Sequence, residues 1–163
     1  MKLRLIEIGA DGAPARCPGH IPPAGRDVLE GTAHLYEATG FHPPWVGYLA
    51  DRDGDIVGAC AFKSPPQDGR VEIAYMTFAE FEGRGIASEM ARQMVQLARQ
   101  AQPELVVVAQ TASRENASTA ILRRLGFTFE CEIEHPEDGR LWQWRLDPGA
   151  TPTQGPAAAS ASS

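Results

Sequence analysis

Apolar residues recur along this chain with two different periods, and the changes from one period to the other mark its elements. Residues 3–8, LRLIEI, alternate like a short strand and stop at Gly9. Proline and glycine then crowd residues 10–25, which predicts a loop. Residues 26–39 carry Val28, Leu29, Leu35 and Tyr36 at helical spacing and are closed by Gly40. After a break at FHPPW, the segments WVGYLADR and DIVGACAFK read as strands, joined at Asp53-Gly54, a hairpin-turn dipeptide. A loop at SPPQDG leads into a third consecutive strand over residues 70–78.

The second half repeats the alternation of periods. Ile86, Met90, Met94 and Leu97 recur at four- and three-residue steps, with Ala87, Ala91 and Ala98 beside them, which predicts a helix whose methionines belong to the core. Pro103 ends that pattern. ELVVVAQT is apolar on both faces and reads as a central, buried strand. A further helix is predicted over residues 116–125, up to Gly126. Phe127, Phe129, Cys131 and Ile133 then alternate with Thr128, Glu130, Glu132 and Glu134, the pattern of a half-buried strand. LWQWRL makes the last strand, with Trp142, Trp144 and Leu146 on one face. Residues 147–163 lack apolar periodicity and read as a disordered tail, leaving residues 1–146 as one domain. The order is strand, helix, three strands, helix, strand, helix, two strands, which predicts an α/β layered domain around a mixed sheet.

Composition narrows the classes. At 163 residues, 43% hydrophobic and 22% charged, the chain is long enough for one ordinary globular core. No apolar stretch reaches membrane-spanning length, and MKLRLIEIGADG meets acidic and turn residues too early for a signal peptide, so a cytoplasmic protein is expected. Cys17, Cys60 and Cys131 have neither disulfide nor zinc spacing. Cys17-Pro-Gly-His20 resembles half of a metal site without a second half, so no metal is expected. A net charge of −6 argues against a nucleic-acid groove and favours a cationic partner or substrate.

Candidate chemistry concentrates in residues 71–98. There the run VEIAYMTF enters the glycine-spaced turn AEFEGRGIA and then the amphipathic stretch SEMARQMVQLA. A strand, a glycine turn and a helix leave backbone N–H groups at the positive end of a helix dipole, where phosphates are held. A dinucleotide fingerprint requires a third glycine where Ser88 stands, and an acidic residue ending the next strand, which Glu104 instead begins. A Walker-type loop requires a lysine, and this loop has none. What remains is Glu82-Gly83-Arg84-Gly85-Ile86-Ala87. A second block follows: Arg114-Glu115-Asn116-Ala117-Ser118, then Ile121-Leu122 and Arg124-Leu125-Gly126-Phe127.

Together these two blocks resemble the GNAT N-acetyltransferase superfamily, and within it the ribosomal-protein N-acetyltransferase-like branch, over roughly residues 45–146. Gly85 and Ala87 match the small positions of the family's [QR]-x-x-G-x-[GA] loop, whereas Glu82 departs from its first position. The resemblance implies a GNAT-type α/β fold, a mixed, largely antiparallel, twisted central sheet flanked by helices. It also implies acetyl-CoA as co-substrate and direct transfer to an amine. The acceptor is then a small-molecule amine or a protein N-terminus, nucleic acid and membrane are not partners, and a homodimer is left open. A non-catalytic acyl-CoA-binding or sensing module on the same fold is the competing expectation.

Acyl transfer to an amine requires a grip on CoA, a neutral amine, oxyanion stabilisation and a proton for the thiolate. Backbone N–H groups of Gly83, Arg84, Gly85, Ile86, Ala87 and Ser88 suit the pyrophosphate, and the Arg84 guanidinium adds charge. The resemblance implies that Met76, Thr77 and Phe78 pair with the pantetheine arm as an added strand, and that Asn116 bonds its amides while capping a helix. Glu72, on a strand face with Ala74, Met76 and Phe78, is the candidate base, in an expected partly desolvated setting that suits proton collection directly or through water. A salt bridge to Arg70 or Lys63 is its plain structural alternative. A backbone N–H near Met76 is expected to face the thioester carbonyl. Many relatives place a Tyr where Arg123 stands, which leaves Ser118 or water as the proton donor. His42 and Trp45 fall where the family builds its acceptor pocket, and loop packing is their alternative role.

Overall fold

Each predicted period becomes the element it implies. The computed structural model describes residues 2–16 and 18–149; Cys17 with its half-site, and most of the expected tail, lie outside the described residues. The elements are β1 (Leu3–Glu7), α1 (Pro23–Thr39), β2 (Gly47–Arg52), β3 (Asp55–Phe62), β4 (Arg70–Thr77), α2 (Ile86–Ala101), β5 (Val106–Ala112), α3 (Ala117–Arg124), β6 (Thr128–His135) and β7 (Gly139–Leu146). The strands form one sheet in the order β1-β2-β3-β4-β5-β7-β6. Neighbours are antiparallel except β4 and β5, which run parallel and are joined through α2, because a parallel pair requires a crossover.

Helix α1 packs on one face of the sheet, where Gly25 approaches the Phe78 ring and Thr32 approaches Gly47. Helix α2 packs on the other face, burying Ile86, Met90, Met94 and Ala98 as its spacing predicts, with Met90 over Gly58. Helix α3 lies on that second face too, and its Arg123 guanidinium covers the Trp144 ring at 4.9 Å. The hairpin between β2 and β3 turns at Asp53 and Gly54, with φ of 53° and 94°. Two successive positive φ values match the right-handed twist of the strands. Buried Asp51 secures the turn by accepting Gly54 N–H at 3.0 Å, and it meets Arg4 at 3.0 Å.

Two expectations change. Helix α1 begins at Pro23 rather than residue 26, because a proline in the first turn has no N–H to leave unpaired and its φ already suits a helix. The alternation in β6 fails at a bulge between Phe129 and Cys131, where one extra residue shifts the register. Phe129 and Glu132 therefore share the face of Trp144 and Trp142, while Cys131 and Ile133 fall on the opposite face. As the edge strand, β6 is covered on one side only, and Phe129 remains 50% exposed against the two tryptophan rings.

Candidate functional site

Strands β4 and β5 pair only from Arg70/Val106 to Ile73/Ala109, and beyond that point they part. The divergence opens a cleft of about 940 Å³. Its walls are Tyr75, Met76 and Thr77 of β4, the turn from Glu82 into α2, and Ala117, Ser118, Ile121 and Arg124 of α3. The sequence leads here directly, since a glycine turn that enters α2 from β4 must lie at the open end of the parting strands.

Gly83 and Gly85 take φ of 80° and 78°, a region that side chains disfavour, so the loop needs glycine at both positions. Space stands open above each Cα. No side chain caps α2 at Gly85, and the first-turn N–H groups of Ile86, Ala87 and Ser88 are those an α-helix leaves without an internal partner. The Thr77 hydroxyl is a second indicator, being buried beside the cleft without a hydrogen-bond partner. An uncapped helix start, open space over the turn and an orphaned hydroxyl on one wall fit an elongated, phosphate-bearing ligand.

Which backbone groups face this cleft follows from the ladder. Lys63 N–H donates to the Glu72 carbonyl at 2.9 Å and Phe78 N–H to the Val57 carbonyl at 2.9 Å. Counting by two, Ala74 and Met76 also bond toward β3, and Tyr75 and Thr77 present their N–H and C=O to the cleft. Met76 and Phe78 thus spend their backbone groups on β3, and Phe78 is buried against α1. The strand edge left free at the cleft is therefore that of Tyr75 and Thr77, whereas the expectation had named Met76, Thr77 and Phe78. The signal was available in the alternation of a strand, but only the partner strand decides which parity is free.

The cleft continues into a recess of about 120 Å³ lined by Lys63, Glu72, Ile73, Ala74, Tyr75, Gln110 and Ser118. Glu72 and Ser118, chosen from distant segments, meet here. Lys63 Nζ stands 3.5 Å from the Glu72 carboxylate, and Arg70 turns to Glu130 at 3.1 Å, so of the two expected salt-bridge partners Lys63 is the one found. Gln110 donates to Gln143 at 3.3 Å, and Gln143 to Glu130 at 3.3 Å. On the α1 side an apolar groove of about 310 Å³ adjoins, sharing Ala74 and Tyr75 with the recess. Burial pushes the Tyr75 phenol up to about 12 and raises the Cys60 thiol beside the groove.

Asn116 caps α3 as expected. Its side chain accepts Thr119 N–H at 3.1 Å, while Thr119 Oγ1 accepts Asn116 N–H at 3.0 Å, a reciprocal box. Arg123 pairs with exposed Glu115, which holds that carboxyl below its usual range through the hydrogen bond from the guanidinium. Arg84 leans over Phe81 at 5.7 Å. Glu82 is exposed at the cleft mouth, and Arg124, which was not singled out from the sequence as a ligand, lines the same cleft. Trp45 is buried against Phe62, with ring centroids 4.9 Å apart, so it packs the core, whereas His42 in the same turn is exposed. Among the described residues there is no cluster of metal-ligating side chains and no helix long and apolar enough to cross a membrane.

A family model described as an acetyltransferase (GNAT) domain matches residues 15–128. No curated protein matches the chain by sequence. Among solved structures, the chain is similar to the ribosomal alpha-N-protein acetyltransferase RimL in its apo form, at 20% identity over 90% of this chain and 93% of that one, with a TM-score of 0.63. It is also similar to the microcin self-immunity acetyltransferase MccE in complex with acetyl-CoA and AMP, at 16% identity over 76% and 70%, with a TM-score of 0.61. A third is yncA, a putative acetyltransferase from Salmonella typhimurium with its cofactor acetyl-CoA, at 18% identity over 75% and 70%, TM-score 0.55.

Proposed function

We propose, since the chain belongs to the GNAT family of acetyltransferases, that it moves an acetyl group from acetyl-CoA to a primary amine by direct transfer while both substrates are bound. The observation that carries this reading is the parting of β4 from β5 beyond Ile73 and Ala109, at the same cleft where α2 begins uncapped. Acetyl-CoA supplies the acetyl group as a thioester. Backbone N–H groups of Gly83, Gly85, Ile86, Ala87 and Ser88 hold its pyrophosphate, with Arg84 and Arg124 as the neighbouring cations. Tyr75 and Thr77 offer the strand edge to its amides, and the Asn116 amide nitrogen, which the helix cap does not use, is left for the same arm.

Glu72 is the base. An incoming ammonium competes with Lys63 for its carboxylate oxygens and passes a proton to it. Ser118, which lines both cleft and recess, donates toward the leaving sulfur. Over one turnover the ammonium gives up two protons, of which one departs on the CoA thiol and one reaches solvent through Glu72. The acceptor is an amine on a small molecule or at a protein N-terminus. RimL and MccE support that breadth, since one is described as an alpha-N-protein acetyltransferase and the other as a microcin self-immunity enzyme.

Thiol release from acetyl-CoA in the presence of an amine panel tests this. Glu72→Gln is expected to lower kcat/KM by about 100-fold or more, the scale of a lost general base, with acetyl-CoA affinity retained. Full turnover by Glu72→Gln would remove Glu72 from the role of base. Binding of acetyl-CoA without turnover of any amine would leave a non-catalytic acyl-CoA module.

A further inference from the structure

Beside Glu72 the same sheet face carries a graded surface. Antiparallel pairing sets Ala61 opposite Ala74 and Ala59 opposite Met76, and the next ladder step sets Lys63 opposite Glu72. One end of this ladder is therefore a cation and an anion 3.5 Å apart, and the other is small and apolar under Val28 and Thr32 of α1. Met76 is 50% exposed there, a large apolar side chain without cover. Two residues along a strand measure about 7 Å, close to the reach of an amino acid from its ammonium nitrogen to the tip of a methionine or phenylalanine side chain.

We infer that the acceptor is a free, apolar α-amino acid, held with its ammonium at Glu72, its carboxylate at Lys63 and its side chain in the groove between α1 and the ladder. This rests on the acetyltransfer reading above and narrows its acceptor. A recess whose two charges cancel suits a ligand whose two charges cancel, since inserting a zwitterion replaces one ion pair with two of the same sign pattern. A polyamine places a second cation near Lys63, and the groove, lined by Val28, Thr32, Ala59, Ala61, Ala74 and Met76, supplies no carboxylate for it. A peptide N-terminus supplies the ammonium but no adjoining carboxylate, leaving Lys63 without its partner. Continuity supports the placement, because Ala74 and Tyr75 line both recess and groove, and Ser118 joins the recess to the acetyl-CoA cleft.

The test uses the full chain with acetyl-CoA and compares thiol release with L-leucine, L-methionine and L-phenylalanine, their C-terminal amides, a short peptide and spermidine. The free acids are expected to exceed their amides in kcat/KM by roughly tenfold, about the effect of one charge-assisted hydrogen bond. Lys63→Met is expected to shrink that ratio toward one, and Ala61→Leu to raise KM for the free acids while the KM for acetyl-CoA stays the same. Equal or faster turnover of amides, peptide or spermidine overturns the inference and leaves the acetyltransferase reading standing. Absence of thiol release with every amine overturns both.

Discussion

Where the cleft, the recess and the groove meet, the Tyr75 phenol is drawn out of water, and burial pushes it up to about 12. The protonated phenol is then favoured in the folded chain over the unfolded one. Its contribution to stability is complete below the ordinary tyrosine value of 10.0 and fades as the pH rises from there toward 12. The Cys60 thiol and the Tyr36 and Tyr48 phenols are raised for the same leading reason, burial, and act with the same sign. Urea melts at increasing pH are expected to show stability falling through the alkaline range, with a shallower fall between pH 10 and 12 in Tyr75→Phe. An unchanged slope in that variant would detach Tyr75 from the effect. Glu72 teaches a different lesson at this scale. The sequence left it either a base in an apolar surround or the partner of Arg70 or Lys63, and in space it is Lys63, across the ladder, that stands beside it and brings two opposite charges together.

The starts of α2 and α3 face the same cleft and are built in opposite ways. Asn116 closes α3 with a reciprocal box to Thr119, whereas Gly85 leaves α2 open with a left-handed backbone. Losing the first removes a cap and an amide left for the ligand, and changing the second displaces the loop backbone, so both should act on stability and on binding. Asn116→Ala is expected to cost about 0.5–2 kcal/mol in urea melts, the usual range for a lost helix cap. Gly85→Ala should cost a similar 1–2 kcal/mol, from forcing a side chain into a left-handed conformation, because the space around it is open and no clash adds to the strain. Both variants are expected to weaken acetyl-CoA binding by calorimetry beyond what their stability losses explain, Gly85→Ala severalfold through displaced loop N–H groups and Asn116→Ala through loss of the side-chain amide left for the pantetheine arm. The Asn116 cap was legible from residue type and position, as was the glycine loop. The β6 bulge was not, since an extra residue in a strand leaves the alternation of residue types intact and shows itself only against the partner β7.

Across the whole molecule, binding and folding are linked, so a ligand of the native cleft must raise the melting temperature. Acetyl-CoA at about 100 times its Kd should add about 2.7 kcal/mol, or several degrees for a domain of this size, and NAD should add nothing, as the loop lacks the dinucleotide glycine. A matching shift with NAD would return the nucleotide reading. The sequence by itself determined the element order, the glycine turn that opens α2 at residues 82–88, the cap at Asn116 and the kinship of the blocks that flank β5, because all of these depend on residues close in the chain. Tertiary structure alone decided that β4 and β5 part after four paired residues, that the backbone groups of Tyr75 and Thr77 rather than of Met76 face the gap, and that Lys63 rather than Arg70 meets Glu72. The physical reason is that a strand's periodicity states which residues share a face, while hydrogen-bond parity and cross-strand charge pairing belong to two strands at once.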